Sequence, residues 1–348
     1  MMKKFLVLAL ALCLCLLISL PAWAAKGEVV VYNWTEYMPD AVLAQFTKET
    51  GIKVVYSTFD SNEAMYAKLK LVGAKGYDVI VPSAYFMQKL RAENLLRPLE
   101  KAKLPNLKNL DANVLDKPYD PGNAYSVPYM WGGAGILVDS AKFDPKTVTS
   151  WADLWKPEFK NQLLLHDDVR DVFGAALLIK GKSLNTTDAK DIEAAYALLE
   201  KLVPNVRVYN SESPKTPFLN KEVAVGMIWN GEAMRAIEED SKLVFVWPKE
   251  GGMFWTDCLA VPKNAPNPDN AHAFINFLMR PDIAKAIVEE VGYCTPNKEA
   301  LKMLPAELRE NPTAYPPAEV LKRSEFQNDV GDAALIYEKY WEMLKTGK

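Results

Sequence analysis

The sequence predicts an α/β protein of two lobes, each a central sheet flanked by helices, with a hinged cleft between them. Three observations carry this. Across residues 29–81, β-branched apolar runs alternate with helical periodicities in the order strand, helix, strand, helix, strand, which implies right-handed crossovers and a parallel sheet. The chain has 348 residues, more than one hydrophobic core usually organises. Two otherwise strand-like stretches, 125–138 and 251–262, contain Pro and Gly and read as crossings between lobes. With a third crossing after Tyr293, the expected lobes are 27–131 with 258–303 and 132–257 with 304–348.

The first 24 residues read as a cleavable export signal. A basic start with Lys3 and Lys4 precedes an apolar run over 5–20, and Ala22-Trp23-Ala24 fits the small-x-small cleavage pattern. Cys13 and Cys15 each follow a leucine, so plain secretion is expected rather than a lipid anchor. Discounting Lys3 and Lys4 from the 41 basic side chains leaves 39 against 44 acidic ones. A mildly acidic chain without a basic, aromatic-laced stripe excludes nucleic acid as the expected partner. The exported chain keeps two cysteines, Cys258 and Cys294, too few for a disulfide scaffold.

In chain order, Val29-Val30-Val31-Tyr32 is a buried strand that ends abruptly in Trp34-Thr35-Glu36-Tyr37. Ligands collect beyond the carboxyl ends of parallel strands, so these four side chains fall where a site would form. Asp40 should cap a helix with Val42, Leu43 and Phe46 on its apolar face and Gly51 at its end. A strand over 52–59, a helix capped by Ser61 and a strand over 77–81 follow, and the last strand runs into Ser83 and Tyr85. A helix is expected over 88–95 and a looser, Pro-punctuated connection to residue 121.

Beyond the first crossing, Ser150 caps a short helix and a strand covers 162–165. Asp168 and Asp171, three apart at a helix start, share one face and the favourable end of the macrodipole; capping and a local pair with Arg170 is the plainer reading. A helix over 188–202, a buried strand ending in Trp229-Asn230-Gly231 and a strand at 244–248 complete the lobe. On the return segment Trp255 and Asp257 alternate onto one face. Helices over 270–278 and 281–291 lead to Tyr293, and the tail from residue 317 should pack on the second lobe with Gln327 near the cleft.

Catalytic constellations are scarce. Neither of the two histidines, His166 and His272, sits at metal-ligand spacing, and no nucleophile elbow or nucleotide loop is present. His272 on an apolar helix face reads as structural. What recurs is carboxylates among rings: Glu36, Asp168, Asp171 and Asp257 with Trp34, Tyr37, Tyr85, Trp229, Trp255 and Tyr293. Buried carboxylates are costly unless paired, and ring faces attract cations, so the expected ligand is a flexible organic polycation. No cofactor and no enzymatic role are expected; a periplasmic enzyme acting on an amine or glycan is the alternative from another class.

Six stretches, among them Tyr32-Asn33-Trp34-Thr35-Glu36-Tyr37, Ser150-Trp151-Ala152-Asp153-Leu154-Trp155, Gly226-Met227-Ile228-Trp229-Asn230-Gly231 and Val246-Trp247-Pro248-Lys249-Glu250-Gly251, carry a resemblance over nearly the whole exported chain. It resembles the periplasmic polyamine-binding proteins of bacterial ABC transporters, especially the spermidine-preferring kind. The resemblance implies a type II periplasmic binding fold, a polyamine ligand (spermidine, with putrescine the alternative), an inner-membrane ABC permease as partner, a periplasmic location and a monomer. It implies binding roles for Trp34, Thr35, Glu36, Tyr37, Ser83, Tyr85, Asp168, Asp171, Trp229, Trp255, Asp257, Tyr293 and Gln327. Asp171 departs from the Glu expected there, and His166 and Cys258 stand where small hydroxyl residues are expected. Because Asp257 and Tyr293 should both face the cleft, the sulfurs of Cys258 and Cys294 would lie behind it, either as a disulfide or as two buried thiols.

Overall fold

The computed structural model describes residues 27–347; the predicted export signal lies outside them. Ten strands form one continuous curled sheet: β1 Glu28–Trp34, β2 Lys53–Phe59, β3 Val79–Ile80, β4 Ser126–Asp139, β5 Leu163–Leu165, β6 Val206–Tyr209, β7 Val225–Trp229, β8 Leu243–Val246, β9 Met253–Ala260 and β10 Glu325–Phe326. The order is β2-β1-β3-β9-β4-β7-β5-β6, with β10 beside β9 and β8 beside β4. β1 pairs in parallel with β2 and β3, and β5 in parallel with β6 and β7. The two parallel groups are joined by the antiparallel pair β4 and β9, in register from Ser126↔Ala260 to Ala134↔Met253.

That central pair is where the sequence placed its crossings. Residues 126–139 form one 14-residue strand with a register shift between Pro128 and Met130. Its glycines make room rather than bend. A Cβ on Gly135 would sit 2.4 Å from the Phe245 ring of β8.

Packing divides on either side of this pair. Val29, Phe46, Phe274 and Ile287 belong to one core, and Ile136, Trp151, Phe173 and Tyr337 to another. Trp151 starts a short turn whose Ser150 and Asp153 form a reciprocal capping box. The C-terminal helix Ala334–Thr346 joins the second core through Tyr337 and Leu344 and stacks Tyr340 on Tyr196 at 4.8 Å.

Several local expectations are corrected. Asp40 is not the cap of its helix, Asp40–Thr50; Pro39 holds that position and Asp40 lies in the first turn, where the macrodipole favours its charge. Gly51 ends the helix with φ 74°. The helix expected over 88–95 starts at Ala84, immediately after Ser83, because Ala84, Phe86, Met87 and Leu90 form its buried face. Residues 95–121 are not loose: Leu96, Leu99, Leu104 and Leu110 are buried. The Glu100 amide donates to His272 Nε2 at 2.9 Å while Nδ1 bonds the Pro268 carbonyl at 2.6 Å. His272 is therefore a neutral Nδ1–H tautomer with both nitrogens committed to backbone.

Gly226 of β7 faces the backbone of Leu164 in β5, where a Cβ would stand 2.3 Å from the carbonyl oxygen. Gly226→Ala must push the strands apart and should cost roughly 1–3 kcal/mol, the usual range for overpacking. Urea unfolding should show a lower midpoint at constant slope; an unchanged midpoint would contradict this packing.

Candidate functional site

All thirteen residues singled out from the sequence line one cleft, of about 650 Å³ counting enclosed and open space together. Its walls come from strand ends on both sides of the β4–β9 pair. On the first wall β1 runs into Trp34-Thr35-Glu36-Tyr37, and Glu36 takes a left-handed conformation, φ 52°, which turns the chain across the cleft. The Trp34 indole donates to the Val81 carbonyl at 2.8 Å, tying the end of β1 to that of β3. Asn62, which the sequence reading passed over, organises the next segment. Its amide nitrogen donates to Ser83 Oγ at 3.1 Å and Tyr85 Oη at 2.9 Å, and its oxygen accepts the Ser83 N–H at 3.0 Å.

The floor is β9. Asp257 is almost fully buried; its Oδ1 accepts the Ser83 hydroxyl at 2.6 Å and its Oδ2 the Tyr37 hydroxyl at 2.9 Å. Burial outweighs those two bonds and pushes its pKa up to about 7. Burial, with the nearby Asp257 charge, also raises the Tyr37 phenol well above its ordinary value, so it stays a donor. Trp255 packs edge-on against Tyr293 at 5.1 Å, and Tyr293 against Tyr37 at 5.4 Å. These rings make an apolar collar around one carboxylate.

The second wall starts where β5 ends. Asp168 caps the helix Val169–Ile179, accepting the amides of Arg170 and Asp171 through one oxygen. Burial, then the charges of Asp171 and Glu63, hold its carboxyl well above the ordinary range. Arg170 does not make the expected local pair with it. The guanidinium bonds Asn185 Oδ1 and the Asn328 carbonyl and lies over the Tyr85 ring at 5.2 Å. Asp171 shares the cleft wall with Asp168 but already has three partners of its own. It accepts from Trp229 Nε1 and Gln327 Nε2 and bonds His166 Nδ1, each at 2.8 Å. The His166 ring lies over Trp229, centroids 4.0 Å apart. His166 and Asp171, two of the three departures noted in the sequence, are thus partners, and their joint task is to hold the Trp229 indole and the Gln327 amide at the cleft.

Sequence reasoning also missed Glu232. It lies in the first turn of the helix Asn230–Glu239, three residues past Trp229, is 7% exposed and lines the cleft. Burial pushes it up to about 7. The strand-end argument that found Trp229 stopped at Gly231, one residue short of it. Glu36 is paired with Lys215 at 3.1 Å. Among the described residues, no group of three or more His, Cys, Asp or Glu side chains is placed to hold a metal ion.

Cys258 and Cys294 are two buried free thiols, not a disulfide. β4 lies between them: Cys258 stands opposite Pro128 on one edge, and Cys294 bridges Trp131 on the other. The Cys294 thiol donates to the Ala314 carbonyl instead.

Two α/β halves with an acidic, ring-walled cleft at their facing strand ends define a solute-binding protein. The chain belongs to the bacterial extracellular solute-binding protein family, whose model matches residues 41–316. It is 55% identical over 317 residues to the spermidine/putrescine-binding periplasmic protein of Salmonella typhimurium, covering 91% of each chain. The protein of the same name from Escherichia coli matches with the same identity and coverage. Among solved structures, a putative spermidine/putrescine ABC transporter protein from Listeria monocytogenes superposes with a TM-score of 0.88 at 38% identity, over 92% of this chain and 99% of that one. No helix among the described residues is long and apolar enough to cross a membrane.

The two carboxyls near 7 set a pH dependence of the empty protein. Both are raised in the fold above their unfolded values of about 4, so the folded form binds the extra protons. The stability they contribute is fully present below pH about 4 and is lost as pH rises through 7. The ligand-free melting temperature should therefore fall between pH 5 and pH 8, and Asp257→Asn should flatten that fall. A thermal scan across this range with parallel curves for both proteins would contradict the assignment.

Proposed function

We propose that this chain captures a polyamine, spermidine in preference to putrescine, and delivers it to an ABC permease from the periplasm. The halves 27–131 with 258–303 and 132–257 with 304–348 close on the ligand about the β4–β9 pair, and the chain acts as a monomer. The observation that carries this reading is Asp257: a buried carboxylate on the cleft floor, supported by two hydroxyls and ringed by Tyr37, Trp255 and Tyr293, with no cationic side chain among the described residues acting on it. An ammonium supplies the missing charge, and the rings cover the methylenes beside it. Each good cation–ring contact adds roughly 0.5–2 kcal/mol.

Three anionic stations suit a triamine: Asp168 on one wall, Asp257 in the middle, and Glu36 with Glu232 at the other end. A diamine leaves one of them desolvated without a counter-charge, a costly arrangement. Asp171 has a different part from the one expected of it. With three partners of its own, it presents Trp229 and Gln327 rather than meeting an amine directly, so the shorter side chain does not count against spermidine. The named activities of the relatives support the same ligand class.

Asp257→Asn should weaken spermidine binding by about 3–5 kcal/mol, the cost of breaking a buried charge pair, or roughly two to four orders of magnitude in Kd. Glu49→Gln, at an exposed ion pair with Arg280, should leave it unchanged. Titration calorimetry of both variants checks this, and equal affinities would remove Asp257 from the site. In competition, spermidine should displace putrescine at equal concentration; the reverse order would make the chain a diamine binder.

A further inference from the structure

At the Glu36 end of the cleft the protein supplies a cation of its own. Lys215, at the start of the short helix Lys215–Leu219 on the second wall, reaches across to Glu36 Oε2 at 3.1 Å on the first. Its side chain is 20% exposed, against 46% for Glu36. Behind them sits Glu232, nine-tenths buried, whose Oε2 makes no hydrogen bond among the described residues. Partial burial pulls the Lys215 ammonium down, but the charges of Glu232 and Glu36 outweigh it and hold it up. One tethered ammonium therefore serves two carboxylates. With Glu36 and Glu232 both ionised, these three side chains carry one net negative charge where the two carboxylates alone would carry two.

We propose that Lys215 is a specificity-determining residue: a built-in ammonium that fills half of the Glu36–Glu232 station and limits the cleft to ligands with three cationic nitrogens. This rests on the polyamine reading. The chemistry is competitive. A linear tetraamine would bring a fourth ammonium to a station where Lys215 already stands, and like charges at that distance repel. A triamine brings one cation to the one charge left over. The ion pair also spans the two walls, so the cation that sets the ligand's length also ties the mouth of the cleft.

Removing the lysine charge while keeping its stem should open the fourth station. Spermidine and spermine titrations on Lys215→Met and Lys215→Gln should show the spermine-to-spermidine affinity ratio rising about tenfold or more over wild type, the scale of one close charge pair. Lys215→Arg keeps the charge and should stay within about twofold of wild type. Lys345→Met, which removes a cation paired with Asp167 outside this station, controls for a general change in field and should also leave the ratio unchanged. A wild-type chain that binds spermidine, with neither neutral variant changing the ratio, overturns this proposal alone. The same rise in Lys345→Met overturns it too, since the effect would then be one of overall charge. A wild-type chain that binds no polyamine overturns the polyamine reading, and this proposal with it.

Discussion

A single buried carboxylate, Asp257, is the constraint around which the cleft is built. Taking an isolated charge out of water is expensive, and a site that must hold one invests its surroundings in making it tolerable. Here the ends of β1 and β3 reach the floor of β9 as hydroxyls, Tyr37 and Ser83, and Asn62 holds Ser83 in place from a helix. The two bonds are not enough: the carboxyl still settles near 7 rather than in the ordinary acid range. The empty protein thus stores an unmet demand for positive charge at the point where both halves of the sheet meet. A cation that answers it gains a low-dielectric partner already oriented by two hydroxyl donors.

The second wall works by the opposite rule. Asp171 is satisfied within the protein, so its charge serves to position rather than to bind. Its three partners are His166, Trp229 and Gln327, and two of these present a ring face and an amide to the cleft. Adjacent Asp168 keeps only one oxygen committed to helix capping. In the proposed function the wall therefore offers one open carboxylate beside a fixed indole, a suitable surface for a terminal ammonium and its methylenes. The division of labour between two acids three residues apart comes from what each one's neighbours donate.

Much of this was legible in the sequence. The β-branched run before Trp34, the polar–aromatic strand ends at Ser83 and Trp229 and the alternation of Trp255 with Asp257 follow from strand periodicity, and all converge on one cleft. What stayed hidden depends on distance between segments far apart in the chain. Nothing near Asp171 says that Gln327 lies 2.8 Å away, and nothing near Glu36 announces Lys215, 179 residues on. Glu232 was hidden for a different reason: a charged residue in the first turn of a helix is ordinary, and only its burial makes it a cleft residue. The cysteines show the same limit. Their shared position behind the cleft was inferable, but the strand running between them was not.

The protons that leave when the ligand arrives are the most direct test of Asp257's part in binding. Carboxyls near 7 are mostly protonated at pH 6 and must ionise to meet an ammonium. Calorimetric titration of spermidine in buffers of different ionisation enthalpy should then show about one to two protons released per ligand at pH 6, dwindling toward zero by pH 8.5. Asp257→Asn should lower the count wherever binding remains measurable. Binding at pH 6 with no proton release would contradict the claim that Asp257, protonated in the empty protein, ionises to pair with the ligand.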